Sequence, residues 1–132
     1  RDVYVAPTDQ EARELAINGI MGRCWREFLL PIYLGLGLGP ILKRDASMPD
    51  AAVDLEYLAD NLWLVGSPQT VAERILKLQE QTGGFGCLLA VSYDATDELP
   101  SWERSLRLLM EDVLPRCQTS LGNRPASMEA AQ

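Results

Sequence analysis

The sequence predicts an α/β fold, the C-terminal part of a (β/α)8 TIM-type barrel with about three parallel strands, and three observations predict it. β-rich or apolar runs at residues 2–6, 62–65 and 87–91 alternate with amphipathic helical stretches. The run at 62–65 passes through Gly66 and Ser67 straight into a helix start, the order that parallel strands joined by crossovers require. Cys87, Leu88, Leu89, Ala90 and Val91 form a nearly continuous apolar run, as expected of a parallel strand covered on both faces. Closing a barrel takes eight strands and typically about 250 residues, so three strands leave it incomplete. One domain is expected at 1–117, with an irregular or helical excursion at 31–58 and a flexible tail at 118–132.

In order, Asp2 to Ala6 is a short strand that Pro7 stops, and Thr8 with Glu11 has the capping-box spacing of a helix start. Ala12, Leu15, Ala16, Gly19 and Ile20 share one face of that helix, Met21, Cys24, Trp25, Phe28 and Leu29 continue a drifting apolar stripe, and Pro31 is expected to end it. The excursion follows, with Val53 to Leu58 as one helical turn before the second strand. Ser67 then stands as N-cap, Pro68 at the first helical position and Gly83 just past the end of the clearest helix. Val71, Ala72, Ile75, Leu76 and Leu78 form its buried face, and Glu73 precedes Lys77 by four residues, the spacing of a surface ion pair. After the third strand, Ser101 caps a last helix whose apolar face carries Trp102, Leu106, Leu109, Met110 and Val113, and Pro115 ends it.

A net charge of -7 argues against a nucleic-acid partner, which needs a concentrated basic surface. The apolar run from Phe28 to Leu38 is broken by Pro31 and by glycines and is too short for a spanning helix of about 20 residues, so no membrane segment is expected. Cys24, Cys87 and Cys117 are odd in number and lie in apolar or amphipathic stretches. That pattern predicts buried thiols in a reducing, cytoplasmic setting. The chain opens on Arg1, inside a strand-like run, which suggests a natural start further upstream and leaves a targeting peptide open.

The motifs carry little independent chemistry. Gly35, Gly37, Gly39 and Pro40 follow a helix, whereas a dinucleotide loop follows a strand and opens a helix, so this run reads as a flexible apolar loop. The Gly66-Ser67-Pro68 turn does join strand to helix and could hold an anion, but any capped βα turn looks the same. Ser92, Tyr93, Asp94 and Asp97 lie just past a strand end, where barrel enzymes keep catalytic groups; a solvated, self-capped loop is the preferred reading. With no histidine in the chain, Ser-His-Asp relays, Cys-His pairs and nearly all transition-metal sites are excluded from it, and no metal is expected. Trp25, Trp63 and Trp102 read as core packing, with Trp63 the one nearest a strand end.

Taken together, some residues carry a resemblance. The run from Asn61 through Gly66, Ser67, Pro68, Thr70, Val71, Ala72, Glu73 and Arg74, then Thr82-Gly83-Gly84-Phe85-Gly86, Arg104-Ser105-Leu106 and Glu111-Asp112-Val113-Leu114-Pro115 resembles the closing segment of bacterial-luciferase-like flavin-dependent monooxygenases. Val3-Tyr4-Val5-Ala6 with Thr8, Glu11, Ala12, Arg13 and Ala16 is similar to the family's preceding strand and helix. The resemblance implies a β/α-barrel in which reduced FMN, or in part of the family a deazaflavin, reacts with O2 and oxygenates an organic substrate. It also implies a separate flavin reductase as partner and a homo-oligomer. No catalytic residue carries over, and the flavin-binding residues stay unknown.

Three hypotheses follow. The chain is part of such a monooxygenase, inactive alone and without tight flavin binding. Alternatively it is a small α/β binding or oligomerisation module derived from the barrel, whose open sheet edges need a partner. The third is a self-contained enzyme using Asp94 or Asp97, for which the sequence supplies no second chemical group nearby.

Overall fold

A computed structural model describes residues 1–122. At its centre two short parallel strands, β1 (Val3–Val5) and β2 (Leu64–Gly66), pair Val3 with Leu64, Tyr4 with Val65 and Val5 with Gly66. Every residue of both strands is buried. The pleat sends alternate side chains to opposite faces. On one face Val3, Val5 and Leu64 pack with Val71 and Ala72 of α6 (Pro68–Gln81) and with Val113 and Cys117. On the other, Tyr4, Ala6, Trp63 and Val65 pack with Ala12 and Ala16 of α1 (Asp9–Asn18) and with Met21, Trp25 and Leu58. The sheet is thus an inner layer between helices, with α1 and α6 on opposite faces.

The first helix starts as its sequence requires, with the Thr8 hydroxyl accepting from the Glu11 amide at 3.2 Å. It breaks at Gly19, in extended conformation, and resumes as α2 (Ile20–Cys24). Gly19 has no side chain to cap α2, and Glu98 does so from across the fold: the Ile20 amide donates to its carboxylate at 3.0 Å. A Cβ on Gly19 would sit 2.5 Å from both Glu98 Oε2 and the Leu15 carbonyl oxygen. Glycine at this break is therefore what admits the distant carboxylate.

Pro31 does not end the helix, contrary to expectation. After α2 comes a π-helical turn, Trp25–Leu29, and the helix continues as α3 (Leu30–Gly35) with Pro31 in its first turn. The Leu30 amide bonds the Trp25 carbonyl, five residues back. That wider turn relieves the conflict between a proline ring and the carbonyl four residues before it. The last helix repeats the device. Here α7 (Leu99–Leu108) runs through a π turn, Leu109–Val113, into α8 (Leu114–Gly122); the Leu114 amide bonds the Leu109 carbonyl, and Pro115 lies inside the helix. Helix therefore continues past Cys117 to Gly122, and the rest of the expected tail, 123–132, lies outside the described residues. Ser101 is not the cap of α7; it sits in the first turn and donates to the Glu98 carbonyl at 2.9 Å.

The excursion is a string of short helices: α4 (Gly39–Leu42), a 3₁₀ turn at Asp50–Ala52, and α5 (Leu55–Asn61), capped by the Asp54 side chain. α5 is longer than the single turn expected at 53–58. Helix α6 keeps its predicted Ser67 cap and Pro68, while Glu73 accepts from Gln69 at 2.5 Å and makes no ion pair with Lys77 among the described residues. None of the helices among the described residues is long and apolar enough to cross a membrane.

The third strand is the main departure. Residues 87–91 touch the sheet through a single parallel bridge, Asp2 with Val91. The Val91 amide bonds the Arg1 carbonyl at 2.9 Å, whereas the next carbonyl, of Asp2, accepts from Leu64 at 2.9 Å. Consecutive carbonyls of a strand point to opposite sides, so 87–91 runs along the edge of β1 away from β2. The predicted two-sided cover is absent: Leu89 is 77% exposed, Val91 44%, and Cys87, expected to be buried, is exposed. Further along the same edge a helix replaces the strand. The Val5 amide donates to the buried Ser105 hydroxyl of α7 at 2.8 Å.

Candidate functional site

The C-terminal ends of β1 and β2 bring together the two βα turns, Thr8-Asp9 and Gly66-Ser67-Pro68. Gly66 has φ 155, and a Cβ there would meet Asp9 Oδ1 at 2.9 Å and Thr70 Cγ2 at 2.8 Å. That gap lets the Asp9 carboxylate reach the start of α6, where it accepts from the Ser67 amide at 2.7 Å. The Ser67 hydroxyl in turn accepts from the Thr70 amide at 3.4 Å. The Ser67 amide holds the Asp9 carboxyl below the usual carboxylate range, with the Thr70 hydroxyl adding to it. The anion that this helix N-terminus could bind is thus already present as a side chain of the same protein. The sequence pointed to Gly66, Ser67 and Pro68 and missed Asp9, whose only signal was an acidic residue at the first position of another helix.

The second candidate group divides. Asp94 is solvent-exposed and accepts from the Thr96 hydroxyl at 2.6 Å and the Thr96 amide at 3.4 Å, which lowers its pKa. Ser92 and Asp97 are exposed. Tyr93 alone turns inward. Its hydroxyl donates to the Asp2 carboxylate, which also accepts from Trp25 Nε1 at 2.9 Å. Burial, then the adjacent Asp2 carboxylate, push the Tyr93 phenol far above its ordinary pKa. A phenol so held does not ionise near neutrality, and its proton serves the carboxylate. Asp2 was read only as a strand residue, because nothing in its local sequence announces partners 23 and 91 positions away.

These groups sit in an aromatic cluster. Trp25 stacks on Tyr33 with centroids 5.7 Å apart and leans on Trp63 at 5.9 Å; Trp102 meets Tyr4 and Tyr93 edge-on at 5.6 and 5.7 Å. Trp25, Trp63 and Trp102 are all buried, Trp25 against Tyr33 and Trp63, and Trp102 against Tyr4 and Tyr93. Trp63 Nε1 is buried without a hydrogen-bond partner among the described residues. The Tyr4 hydroxyl, beside Ser101, makes no hydrogen bond of ordinary geometry among the described residues, and burial raises its pKa.

A cleft of about 580 Å³ lies at the other end of the sheet, where Arg1 and Leu62 lead into the strands. Arg44, Arg74 and Lys77 line it in an otherwise acidic chain. The arginines have structural work: Arg74 donates to the carbonyls of Ala59 at 2.7 Å and Trp63 at 3.0 Å, and Arg44 to that of Asn61 at 3.2 Å. They satisfy carbonyls at and just beyond the C-terminus of α5. Among the described residues no group of three or more His, Cys, Asp or Glu side chains is placed to hold a metal ion.

Over most of its length this chain is similar to part of known flavin-dependent monooxygenases. More narrowly, its relatives are diketocamphane monooxygenases. It is 40% identical over 114 residues, 86% of this chain, to 3,6-diketocamphane 1,6-monooxygenase of Pseudomonas putida. Over 122 residues, 91% of the chain, it is 37% identical to 2,5-diketocamphane 1,2-monooxygenase 2 of the same organism. It also matches, with a TM-score of 0.82 and 40% identity over 88% of its length, the solved oxygenating constituent of 3,6-diketocamphane monooxygenase from P. putida, a type II Baeyer–Villiger monooxygenase in complex with FMN. The chain covers 30% and 34% of the two relatives and 32% of the solved protein, about a third of each. No family model matches it.

The described residues do not by themselves fit FMN. Its phosphate would need free amides or cations at the strand-end turns, where the Ser67 and Thr70 amides are taken; Lys77, Arg44 and Arg74 lie at the other end of the sheet, and the two arginines are bound to carbonyls. A ring system would need an open aromatic face, and those of the tryptophans are packed.

Proposed function

We propose that the chain forms the closing part of the barrel of an FMN-dependent monooxygenase that inserts oxygen from O2 into an organic carbonyl compound. The observation that carries this reading is the 40% identity and TM-score of 0.82 to an FMN-bound Baeyer–Villiger monooxygenase. The same complex favours FMN over a deazaflavin. A separate reductase supplies the flavin in reduced form, the assembly is a homo-oligomer, and it works in the cytoplasm. Reduced FMN supplies the activation of O2, which no side chain of this protein can provide. The role of these residues is to build the wall and lock the strand-end turns; a barrel's reactive groups come from the ends of several strands, most of them outside this third of the fold.

The test is turnover by the whole protein, supplied with FMN, a flavin reductase, NADH and a bicyclic ketone. The expected result is a product one oxygen heavier, with the label coming from ¹⁸O2. Absence of flavin-dependent oxygenation across a panel of cyclic ketones would remove the proposal. The alternative, a non-catalytic binding or oligomerisation module, draws on the exposed side chains of Phe28, Ile32 and Leu36, which follow one another at helical spacing. It predicts stable self-association and no oxygenation by the whole protein.

A further inference from the structure

Two apolar stripes of this chain share one spacing. Phe28, Ile32 and Leu36 follow one another along the first π turn and α3. Leu106, Met110 and Leu114 run from α7 through the second π turn into α8. Each stripe recurs every four residues and spans about 12 Å at the helical rise of about 1.5 Å per residue. All six side chains are exposed, so neither stripe covers the other within one chain.

Their charged surroundings are opposite. Of the chain's 12 basic and 19 acidic residues, the stretch 20–44 holds Arg23, Arg26, Lys43 and Arg44 but only one acid, Glu27, and nothing from Phe28 to Leu42 is charged. Lys43 is spent on Asp50. Arg23 and Arg26 are exposed just ahead of Phe28 and form no ion pair among the described residues. Around the second stripe Glu103, Glu111 and Asp112 are exposed, with Arg107 between them. Copies of a molecule with a net charge of -7 repel one another in general. A stripe flanked by arginines against one flanked by carboxylates is the contact at which that repulsion becomes attraction.

We infer that Phe28, Ile32 and Leu36 of one copy of this protein pack on Leu106, Met110 and Leu114 of a second copy. Because the stripes are different surfaces, a two-fold axis makes the contact twice and closes the dimer. With the two helices parallel, Phe28 beside Leu106 and Leu36 beside Leu114, Arg23 and Arg26 come to Glu103. The antiparallel setting would carry them to Arg116, like charge against like, so the parallel one is favoured. The inference rests on the homo-oligomer of the proposed function and names its interface; flavin chemistry does not enter it.

The test is sedimentation equilibrium of the whole protein at low salt, with near-ultraviolet circular dichroism to follow the fold. The expected result is a dimer whose Kd rises about tenfold or more in Phe28→Glu and in Met110→Glu, since each buries a charge in the contact. Arg23→Glu and Glu103→Arg, both exposed and harmless to the fold, should each weaken the dimer, and the double variant should return to within about threefold of wild type. A monomeric wild type, a Kd indifferent to Phe28→Glu and Met110→Glu, or a double charge swap no tighter than its single variants would overturn the inference. So would a monomer that binds vesicles of anionic lipid through Phe28, the other surface an apolar helix flanked by arginines could meet. Turnover of a cyclic ketone by the same samples separates the two readings. Oxygenation by a monomer removes this inference alone, and a dimer with these responses but no oxygenation removes the proposed function alone.

Discussion

Asp9 serves two helices. It lies in the first turn of α1 and accepts from the amide of Ser67, the N-cap of α6, so one carboxylate fastens both strand-end turns. Asp9→Ala should cost about 1 kcal/mol in urea unfolding at pH 7, the usual worth of a cap. Its pH dependence follows from the sign of the shift. The folded pKa is depressed below the unfolded value of about 3.9, so the contribution is complete above that value and lost as pH falls through the folded one. Wild-type and variant stabilities should converge below about pH 4; a gap that stays constant to pH 2 would show that the carboxylate charge is not the cause. Ser105→Ala leaves the Val5 amide buried without an acceptor and should cost about 1–3 kcal/mol, with faster exchange of that amide as the specific readout. At this scale the sequence was legible where partners are local, as with Thr8 and Glu11 or Ser67 and Thr70. It was silent on Asp9 with Ser67, Asp2 with Tyr93 and Val5 with Ser105, because those pairs exist only once the chain has folded.

Among the elements, the instructive failures are the two prolines. The rule that proline stops a helix is a statement about regular i to i−4 bonding, and both helices leave that regime one turn earlier. Each π turn ends two residues before its proline, Leu29 before Pro31 and Val113 before Pro115. Because the wide turn has already removed the clash, Pro115→Ala should change stability by less than about 1 kcal/mol, whereas Glu103→Pro, in the regular interior of α7, should cost about 3 kcal/mol or more. Equilibrium unfolding of both variants checks this; equal losses would mean that the π turn does not relieve the proline. Helix α6 was readable almost to the residue, since Ser67, Pro68 and Gly83 mark its ends locally. The strand at 87–91 was readable as apolar but not as uncovered, because burial depends on neighbours that lie elsewhere in the fold.

For the molecule as a whole, helix-strand alternation and parallel pairing of β1 with β2 were legible from periodicity, while the layering of helices on both sides of the sheet was not. A barrel wall places successive helices on one side; here α1 and α6 lie on opposite faces of a small sheet, and the third strand stands apart from it. Exposed apolar side chains accompany that arrangement: Phe28, Leu36, Leu89 and Met110 are each at least 60% exposed. The chain alone should therefore self-associate, with sedimentation showing mass rising with concentration; a strict monomer would speak against unfilled contacts. The most direct test of the central claim, that these residues are one wall of a flavin enzyme whose site is completed elsewhere, is a titration of FMN fluorescence against this chain and against the whole protein. Saturable quenching is expected for the whole protein, with no saturation by this chain up to about 100 times the whole protein's Kd. Micromolar FMN binding by this chain alone, or none by the whole protein, would contradict it.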